Sequence, residues 1–251
     1  MVGRELAGGN TSGAVVRVGD TVRKPWTTST PSVTRFVKAL RAAGIDAPAP
    51  VGRDEVGRQI LEFVPGESAD DTGPLSRAAL RRVGSIVRSI HDASASFVRH
   101  DDDVWETAIA SPGDELVCHN DLAPWNLIVG ERWTFIDWDA AAPSTRLWDL
   151  AYAAQAFALN DVTRSVDESA GDLRAFVDGY RADSTMRARL PHTMGQRAEA
   201  MYHLLSSSHT AGVEPWASMF TAGHGEHWDA VVRYVKGHED DWLRALTLPR
   251  G

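Results

Sequence analysis

The sequence predicts an α+β chain in two lobes, a small antiparallel-sheet N-lobe followed by a mainly helical C-lobe. Three observations predict it. Residues 1–64 hold short β-rich runs joined by tight turns, with one helical stripe among them. From Gly73 onward, apolar residues recur at helical spacing. Set into that helical stretch, residues 116–139 read as one hairpin flanked by polar residues of the kinds that bind metals and orient hydroxyls. The division expected is 1–64 for the N-terminal lobe, 65–74 for a hinge and 75–251 for the helical lobe.

The first strands are Ala14-Val15-Val16-Arg17-Val18 and Thr21-Val22-Arg23-Lys24, joined by the turn Gly19-Asp20. Before them runs Gly8-Gly9-Asn10-Thr11-Ser12-Gly13. Such a turn lets backbone N–H groups approach phosphate oxygens with no side chain between. Gly9, Thr11, Ser12 and Gly13 are therefore candidates for nucleotide contact, although a plain flexible turn fits the same residues. Val22 and Lys24 share a strand face, so Val22 can cover a base while Lys24 reaches phosphates. Thr30 is expected to cap a helix with Pro31 at its first position, and Val33, Phe36, Val37 and Leu40 form its apolar stripe. Gly44 ends it. A charged turn at 53–58 leads to a strand at 59–64, stopped by Pro65-Gly66.

In the second lobe, Ser76 is expected to cap a helix whose stripe is Leu80, Val83, Val87 and Ile90. The loop 98–114 carries Asp101, Asp102 and Asp103, an acidic run expected in solvent. After the hairpin, helices are expected at 146–160, 167–181, 194–209 and 224–246.

Within the hairpin, Leu127-Ile128-Val129 and Trp133-Thr134-Phe135-Ile136 flank Gly130-Glu131-Arg132. A turn centred between Glu131 and Arg132 sets position 126 opposite 137, so Asn126 and Asp137 leave the same open end. Asp121 lies five residues before Asn126 in a loop broken by Pro124, and can curl over that end. Mg²⁺ takes oxygen ligands and commonly uses one or two carboxylates plus phosphates. Asn126 and Asp137 can serve as its ligands, while Asp121 orients a hydroxyl and accepts its proton. That is the division of labour in metal-assisted phosphoryl transfer. Each residue type alone also serves in turns and at strand ends; their joint spacing favours the chemistry.

Composition narrows the classes. The single cysteine, Cys118, excludes an intrachain disulfide and suits a reducing cytoplasm. Ending an apolar strand, it reads as a small buried residue rather than a nucleophile. No apolar run approaches the ~18 residues of a membrane span, and the first residues lack the apolar core of a secretory signal. A cytoplasmic location without membrane contact is expected. Net charge of −8 argues against a nucleic-acid surface and is compatible with a cationic substrate.

The chain resembles the aminoglycoside phosphotransferase family, within the protein-kinase-like fold. His119-x-Asp121-x-x-x-x-Asn126 is similar to its catalytic loop, Ile136-Asp137-Trp138-Asp139 to its metal-binding motif, and Trp148-Asp149-Leu150-Ala151 to the aspartate that opens the next helix. The resemblance implies Asp121 as catalytic base, Asn126 and Asp137 as Mg²⁺ ligands and Lys24 as the phosphate-binding lysine. It implies that backbone near Glu62 and Val64 holds the adenine of ATP (or GTP), that His119 supports the loop, and that Asp149 accepts hydrogen bonds from the loop backbone. One departure stands out. Such a lysine is usually paired with a glutamate on the first helix, yet 32–43 holds no acidic residue. Asp137, or an acid from elsewhere, must take that place.

The resemblance implies an acceptor hydroxyl on a small molecule, with a cationic antibiotic such as an aminoglycoside as one candidate. Asp139, Glu199, Glu226, Glu239 and Asp240 are candidate contacts for its ammonium groups; for 239–241 a solvated helix start is the simpler account. His203, His209, Trp216, His224 and Trp228 can line a pocket or belong to core and surface. Alternative readings are a metabolic kinase of a sugar or amino alcohol, and a nucleotide-binding pseudokinase. A metallohydrolase cluster of His119, Asp121, Asp137 and Asp139 lacks a second histidine at useful spacing. Acceptor, nucleotide and oligomeric state stay open at the level of sequence.

Overall fold

A computed structural model of the chain describes residues 15–248 and the backbone of Arg4 and Glu5. The glycine-rich run with Gly9, Thr11, Ser12 and Gly13 lies outside the described residues. Five short strands form the N-terminal sheet: β1 (Arg4–Glu5), β2 (Val16–Val18), β3 (Thr21–Lys24), β4 (Pro50–Arg53) and β5 (Gln59–Glu62), in the order β1-β2-β3-β5-β4. All neighbours are antiparallel, and β3 pairs β5 with Val22 opposite Leu61 and Lys24 opposite Gln59. Between β3 and β4 runs α1 (Thr30–Ala42), whose stripe Val33, Phe36, Val37 and Leu40 is fully turned into the core. Thr30 is not its cap: Ser29 holds that position, while Thr30 Oγ1 accepts the Thr27 N–H at 2.9 Å and Pro31 falls in the first turn.

The chain then turns at Gly66 (φ 144°) into β6 (Glu67–Ser68), which pairs β8 (Leu127–Val129). The Gly66 backbone lies so close to the hairpin that an added Cβ would stand 2.6 Å from Val129 O. Only glycine satisfies both demands. A three-stranded sheet β6-β8-β9, with β9 (Trp133–Phe135), ties the connecting segment to the hairpin. A second small ladder pairs β7 (Leu116–Cys118) with β10 (Ala142–Ser144).

The helical lobe comprises α2 (Arg77–Ser94), α3 (Arg146–Ala158), α4 (Val166–Tyr180), α5 (Ser184–Ala211), the short α6 (Trp216–Met219), α7 (Gly225–Gly237) and α8 (Glu239–Thr247). Ser76 caps α2 by accepting the Ala79 N–H at 3.2 Å. Two expected boundaries move. The helix expected at 194–209 begins at Ser184, where Asp183 accepts the Met186 N–H at 2.8 Å, and it runs through Pro191. Burial of Leu190, Pro191 and Met194 offsets the backbone bond that proline cannot make. The single helix expected at 224–246 breaks after Gly237, where the Trp242 indole donates to Val235 O at 3.0 Å and satisfies a carbonyl of the last turn.

Helices α2 and α4 cross backbone to backbone. A Cβ on Gly84 would lie 2.1 Å from Phe176 O, and one on Gly179 2.0 Å from Arg81 O. Gly84→Ala must therefore push the helices apart. We expect it to cost about 3 kcal/mol or more, read as a lowered denaturant midpoint; an unchanged midpoint would contradict this packing. The loop 98–114 is not simply solvated. Asp101 and Asp102 are exposed, but Asp103 accepts the His100 N–H at 2.8 Å and is paired with Arg35, while Trp105 packs edge-on to Phe36. The loop is thus strapped to α1 and carries on into the wall of the main cavity. Among the described residues, no helix is long and apolar enough to cross a membrane.

Candidate active site

The hairpin places its polar ends by a route that spacing alone did not show. Leu127 pairs Phe135, Ile128 pairs Thr134 and Val129 pairs Trp133, so the turn centres on Glu131. Position 126 therefore faces 136, not 137, and the Ile136 N–H donates to Asn126 O at 2.8 Å. A shift of one residue would ordinarily turn Asp137 to the other face. Asp137 instead adopts a left-handed backbone (φ 60°, ψ 64°) that swings its carboxylate back to the open end. Asn120, just before Asp121, is also left-handed (φ 64°). Each such residue costs about 1–2 kcal/mol, and the surroundings hold them there. For Asn120, its N–H donates to Asp149 Oδ1 at 2.8 Å and its Nδ2 to Ala140 O at 3.1 Å.

Asp121 is held from two sides. Asn126 Nδ2 donates to Asp121 Oδ2 at 2.7 Å, and the Tyr152 hydroxyl to Oδ1 at 2.8 Å. Burial pushes the Asp121 carboxyl above the usual aspartate range, and the nearby Asp137 adds to this, while the Tyr152 and Asn126 hydrogen bonds work the other way. The Tyr152 phenol is pushed well above its ordinary value by burial and by Asp121.

Lys24, 4% exposed, sits between two carboxylates, 2.5 Å from Asp137 Oδ1 and 2.6 Å from Asp139 Oδ2. Burial pulls the ammonium down, but the two carboxylates outweigh it and hold Lys24 above the usual lysine value. These two aspartates occupy the place of the helix glutamate that the sequence lacks.

His119 is buried, its ring 4.5 Å from that of Trp138. Its Nε2 faces Ile136 O at 3.1 Å and must donate, which leaves Nδ1 to accept the Asp121 N–H at 3.3 Å. Both ring nitrogens are thus engaged within the protein. Behind His119, Asp149 Oδ2 meets His91 Nε2 at 2.9 Å, and His91 Nδ1 meets Tyr180 O–H at 2.8 Å. His91, Cys118 and Asp149 lie within metal-ligating distance of one another, but both His91 nitrogens are already committed. Cys118 is buried, and burial raises its thiol well above the ordinary value, as suits an inert residue.

A cavity of about 1200 Å³ opens in front of this set, lined by Asp121, Asn126, Asp137 and Asp139 at one end and by α5 to α7 at the other. Trp216, His224 and Trp228 line it, as do Tyr152 and Arg197; His203 and His209 do not. Glu199, Glu226, Glu239 and Asp240 are also outside its walls. Glu199 is engaged by Lys236 at 3.1 Å, and Glu239 faces His192 at 3.4 Å. Asp70 and Glu106 supply acidic groups to the wall instead. Glu62 and Val64 lie at the end of β5 and just beyond it. The Glu62 N–H is spent on Ala49 O at 2.9 Å and its side chain is paired with Arg132.

Sequence reasoning passed over Asn120, Tyr152 and Arg197. Asn120 lies inside the His119-to-Asn126 motif, and asparagine is a residue that tolerates a left-handed backbone. Tyr152 follows Asp149 by three, one helical turn on the same face. Arg197 has no comparable signal.

The comparisons with known proteins agree with this geometry. Residues 99–191 match the model of the phosphotransferase enzyme family. The trifolitoxin immunity protein of Rhizobium leguminosarum bv. trifolii is 31% identical over 190 residues, covering 70% of this chain and 72% of that protein. Among solved structures, a choline/ethanolamine kinase family protein from Mesorhizobium loti superposes with a TM-score of 0.63 at 17% identity, over 99% of this chain and 93% of that one. The amicoumacin kinase hAmiN, solved with AMP-PNP, Ca²⁺ and Ami, superposes with a TM-score of 0.69 at 14% identity, over 95% and 88%. At these identities the structures speak for the fold. With the matched segment spanning Asp121, Asn126 and Asp137, and with a relative aligned over most of its length, the chain belongs to the phosphotransferase enzyme family, that of the aminoglycoside phosphotransferases, and is a small-molecule phosphotransferase.

Proposed function

We propose that this chain transfers the γ-phosphate of ATP or GTP, with Mg²⁺, to a hydroxyl of a small molecule, with Asp121 as the base. The observation that carries the reading is the convergence of Asp121, Asn126 and Asp137 at one end of a single cavity, with Lys24 paired to Asp137 beside it. Asp121 accepts the acceptor hydroxyl's proton as the oxygen attacks the γ-phosphorus and the bond to the β,γ-bridging oxygen breaks, releasing the nucleoside diphosphate; Tyr152 and Asn126 keep its carboxylate aimed. Lys24 binds phosphate oxygens from β3. His119 and Asp149 brace the catalytic loop. The donors suit Mg²⁺: Asp137 and Asn126 are hard oxygen ligands with Asp139 beside them. The ammonium of Lys24 between the two carboxylates marks a point that already favours positive charge. Held there, the ion would draw charge from the phosphate oxygens. With Asn126 Nδ2 spent on Asp121, the amide oxygen would be the atom left for the metal.

For the acceptor, the rings of Trp125, Trp216 and Trp228 with Asp70 and Glu106 suit an ammonium-bearing molecule, and Asp139 stands at the transfer end. An antibiotic acceptor fits the names of the immunity protein and of the amicoumacin kinase. A metabolic amino alcohol is the second reading, favoured by the choline/ethanolamine kinase likeness. Glu199, Glu226, Glu239 and Asp240 have no part in it.

The pH profile of transfer tests the assignment of Asp121. The base must be ionised, so activity falls as pH drops through its raised value. Tyr152→Phe removes a hydrogen bond that favours the carboxylate. The acid limb should then move to higher pH, with the plateau lowered about tenfold. An acid limb unmoved by Tyr152→Phe would contradict the role given to Asp121.

A further inference from the structure

Among the described residues, the cavity wall holds a buried cation balanced only at a distance, by Asp121 and Asp149, and by no direct partner. Arg197, on α5, is 6% exposed, and among the described residues no carboxylate lies within ion-pair distance of it. One guanidinium nitrogen, Nη2, points at Asn120 O from 3.5 Å, a long contact. The other, Nη1, is buried without a hydrogen-bond partner. The guanidinium lies over the ring of Tyr152, 4.4 Å from its centroid, and 5.8 Å from that of Trp148. Ring faces attract a cation, but they do not satisfy its N–H groups. A buried charge is ordinarily paired, and the remaining buried cation of the site, Lys24, is paired twice. Arg197 therefore carries a standing cost that a ligand could relieve.

We propose that Arg197 anchors an oxyanion, a carboxylate or its equivalent, on the phosphoryl acceptor. The inference rests on the phosphotransferase reading and narrows its acceptor. Position decides between the two sources of an oxyanion. Lys24, Asp137 and Asp139 gather on the N-lobe and hairpin side of Asp121. Arg197 reaches Asp121's surroundings from the opposite side, from α5 across the ring of Tyr152 on α3. An anion bound there belongs to the molecule that brings the hydroxyl. With the acidic groups Asp70 and Glu106 elsewhere in the same wall, the site fits a zwitterionic acceptor, such as a hydroxy amino acid or a small peptide with a free carboxylate. Arg197's planar fork matches a carboxylate in two-point contact.

The test needs no turnover, so its failure is distinct from failure of the kinase reading. Acetate is titrated at constant ionic strength, with chloride as control, and the Nε–H resonance of Arg197 is followed by ¹H–¹⁵N NMR. Its assignment comes from its absence in Arg197→Met. We expect a saturable shift with acetate, kept when the enzyme is saturated with Mg²⁺ and AMP-PNP. In Arg197→Lys, which lacks that resonance, acetate is followed by the backbone N–H of the neighbouring Asn120, and its binding should weaken about 10- to 100-fold. Arg197→Met should keep or raise Tm, since an unpaired buried charge is removed. Loss of the acetate response on adding AMP-PNP would place the anion on the nucleotide and overturn the proposal. So would a shift that never saturates, or a response unchanged in Arg197→Lys. Should Arg197→Met fail to fold, the residue is a structural pin for α5 on the catalytic loop, and that too overturns it.

Discussion

Asp121→Asn is expected to lower turnover about 10²- to 10⁴-fold, the range for removing a general base, while nucleotide still binds. The reason lies in the two hydrogen bonds that fix its carboxylate. Tyr152 and Asn126 hold both oxygens, so the side chain has little freedom, as the proposed acceptor of the hydroxyl proton requires. The amide keeps the shape and loses the basicity. Stability separates this loss from unfolding. Burial raises the folded-state value of Asp121 above that of the unfolded chain. The folded protein thus takes up the proton more readily, and stability from this group falls as pH rises through the folded value. At neutral pH the ionised carboxylate is a cost to folding. Asp121→Asn should keep or raise Tm there while lowering transfer to that extent.

Asp137→Ala is expected to cost several kcal/mol of transition-state stabilisation, roughly 10²- to 10³-fold in rate. It removes the proposed metal ligand and one of the two carboxylates that hold Lys24. Chelating the metal from the wild-type enzyme should give a loss of similar size, and chelation should add little to the loss in Asp137→Ala. Steady-state rates at varied free Mg²⁺ read this directly. A variant with wild-type activity and unchanged metal dependence would remove Asp137 from the metal site. The raised Lys24 value has its own consequence. Its pairing with Asp137 and Asp139 stabilises the fold fully below the ordinary lysine value, and that contribution is lost only as pH rises through the folded one.

Fold class and hairpin were legible because they rest on local signals. Apolar stripes at helical spacing turned inward as expected in α1 and α2, and Pro65-Gly66 ended the sheet because the glycine's backbone must lie against Val129. That Asp121, Asn126 and Asp137 would meet at one cavity was legible from their spacing around the hairpin. Register was not. One residue of turn centring separates 126 opposite 137 from 126 opposite 136, and only the left-handed backbone at Asp137 restores the convergence. The lysine's partners were half legible: Asp137 was a candidate, whereas Asp139 depends on how the segment after the hairpin folds back. The acceptor wall was least legible. Acidic residues on α5, α7 and α8 look alike in sequence, and which face of each helix meets the cavity is set by packing. Glu199 pairs with Lys236 on the outside, while Arg197, two residues earlier on the same helix, turns inward.

The most direct measurement is a mass-spectrometric screen for a one-phosphoryl gain on acceptors offered with Mg²⁺ and ATP or GTP. The panel spans aminoglycosides, other antibiotics, amino alcohols and hydroxy amino acids, each run beside Asp121→Asn. A phosphorylated product formed by the wild-type chain and absent with the variant is the predicted result. A product formed equally by both would contradict Asp121 as the base and, with it, the account of the site.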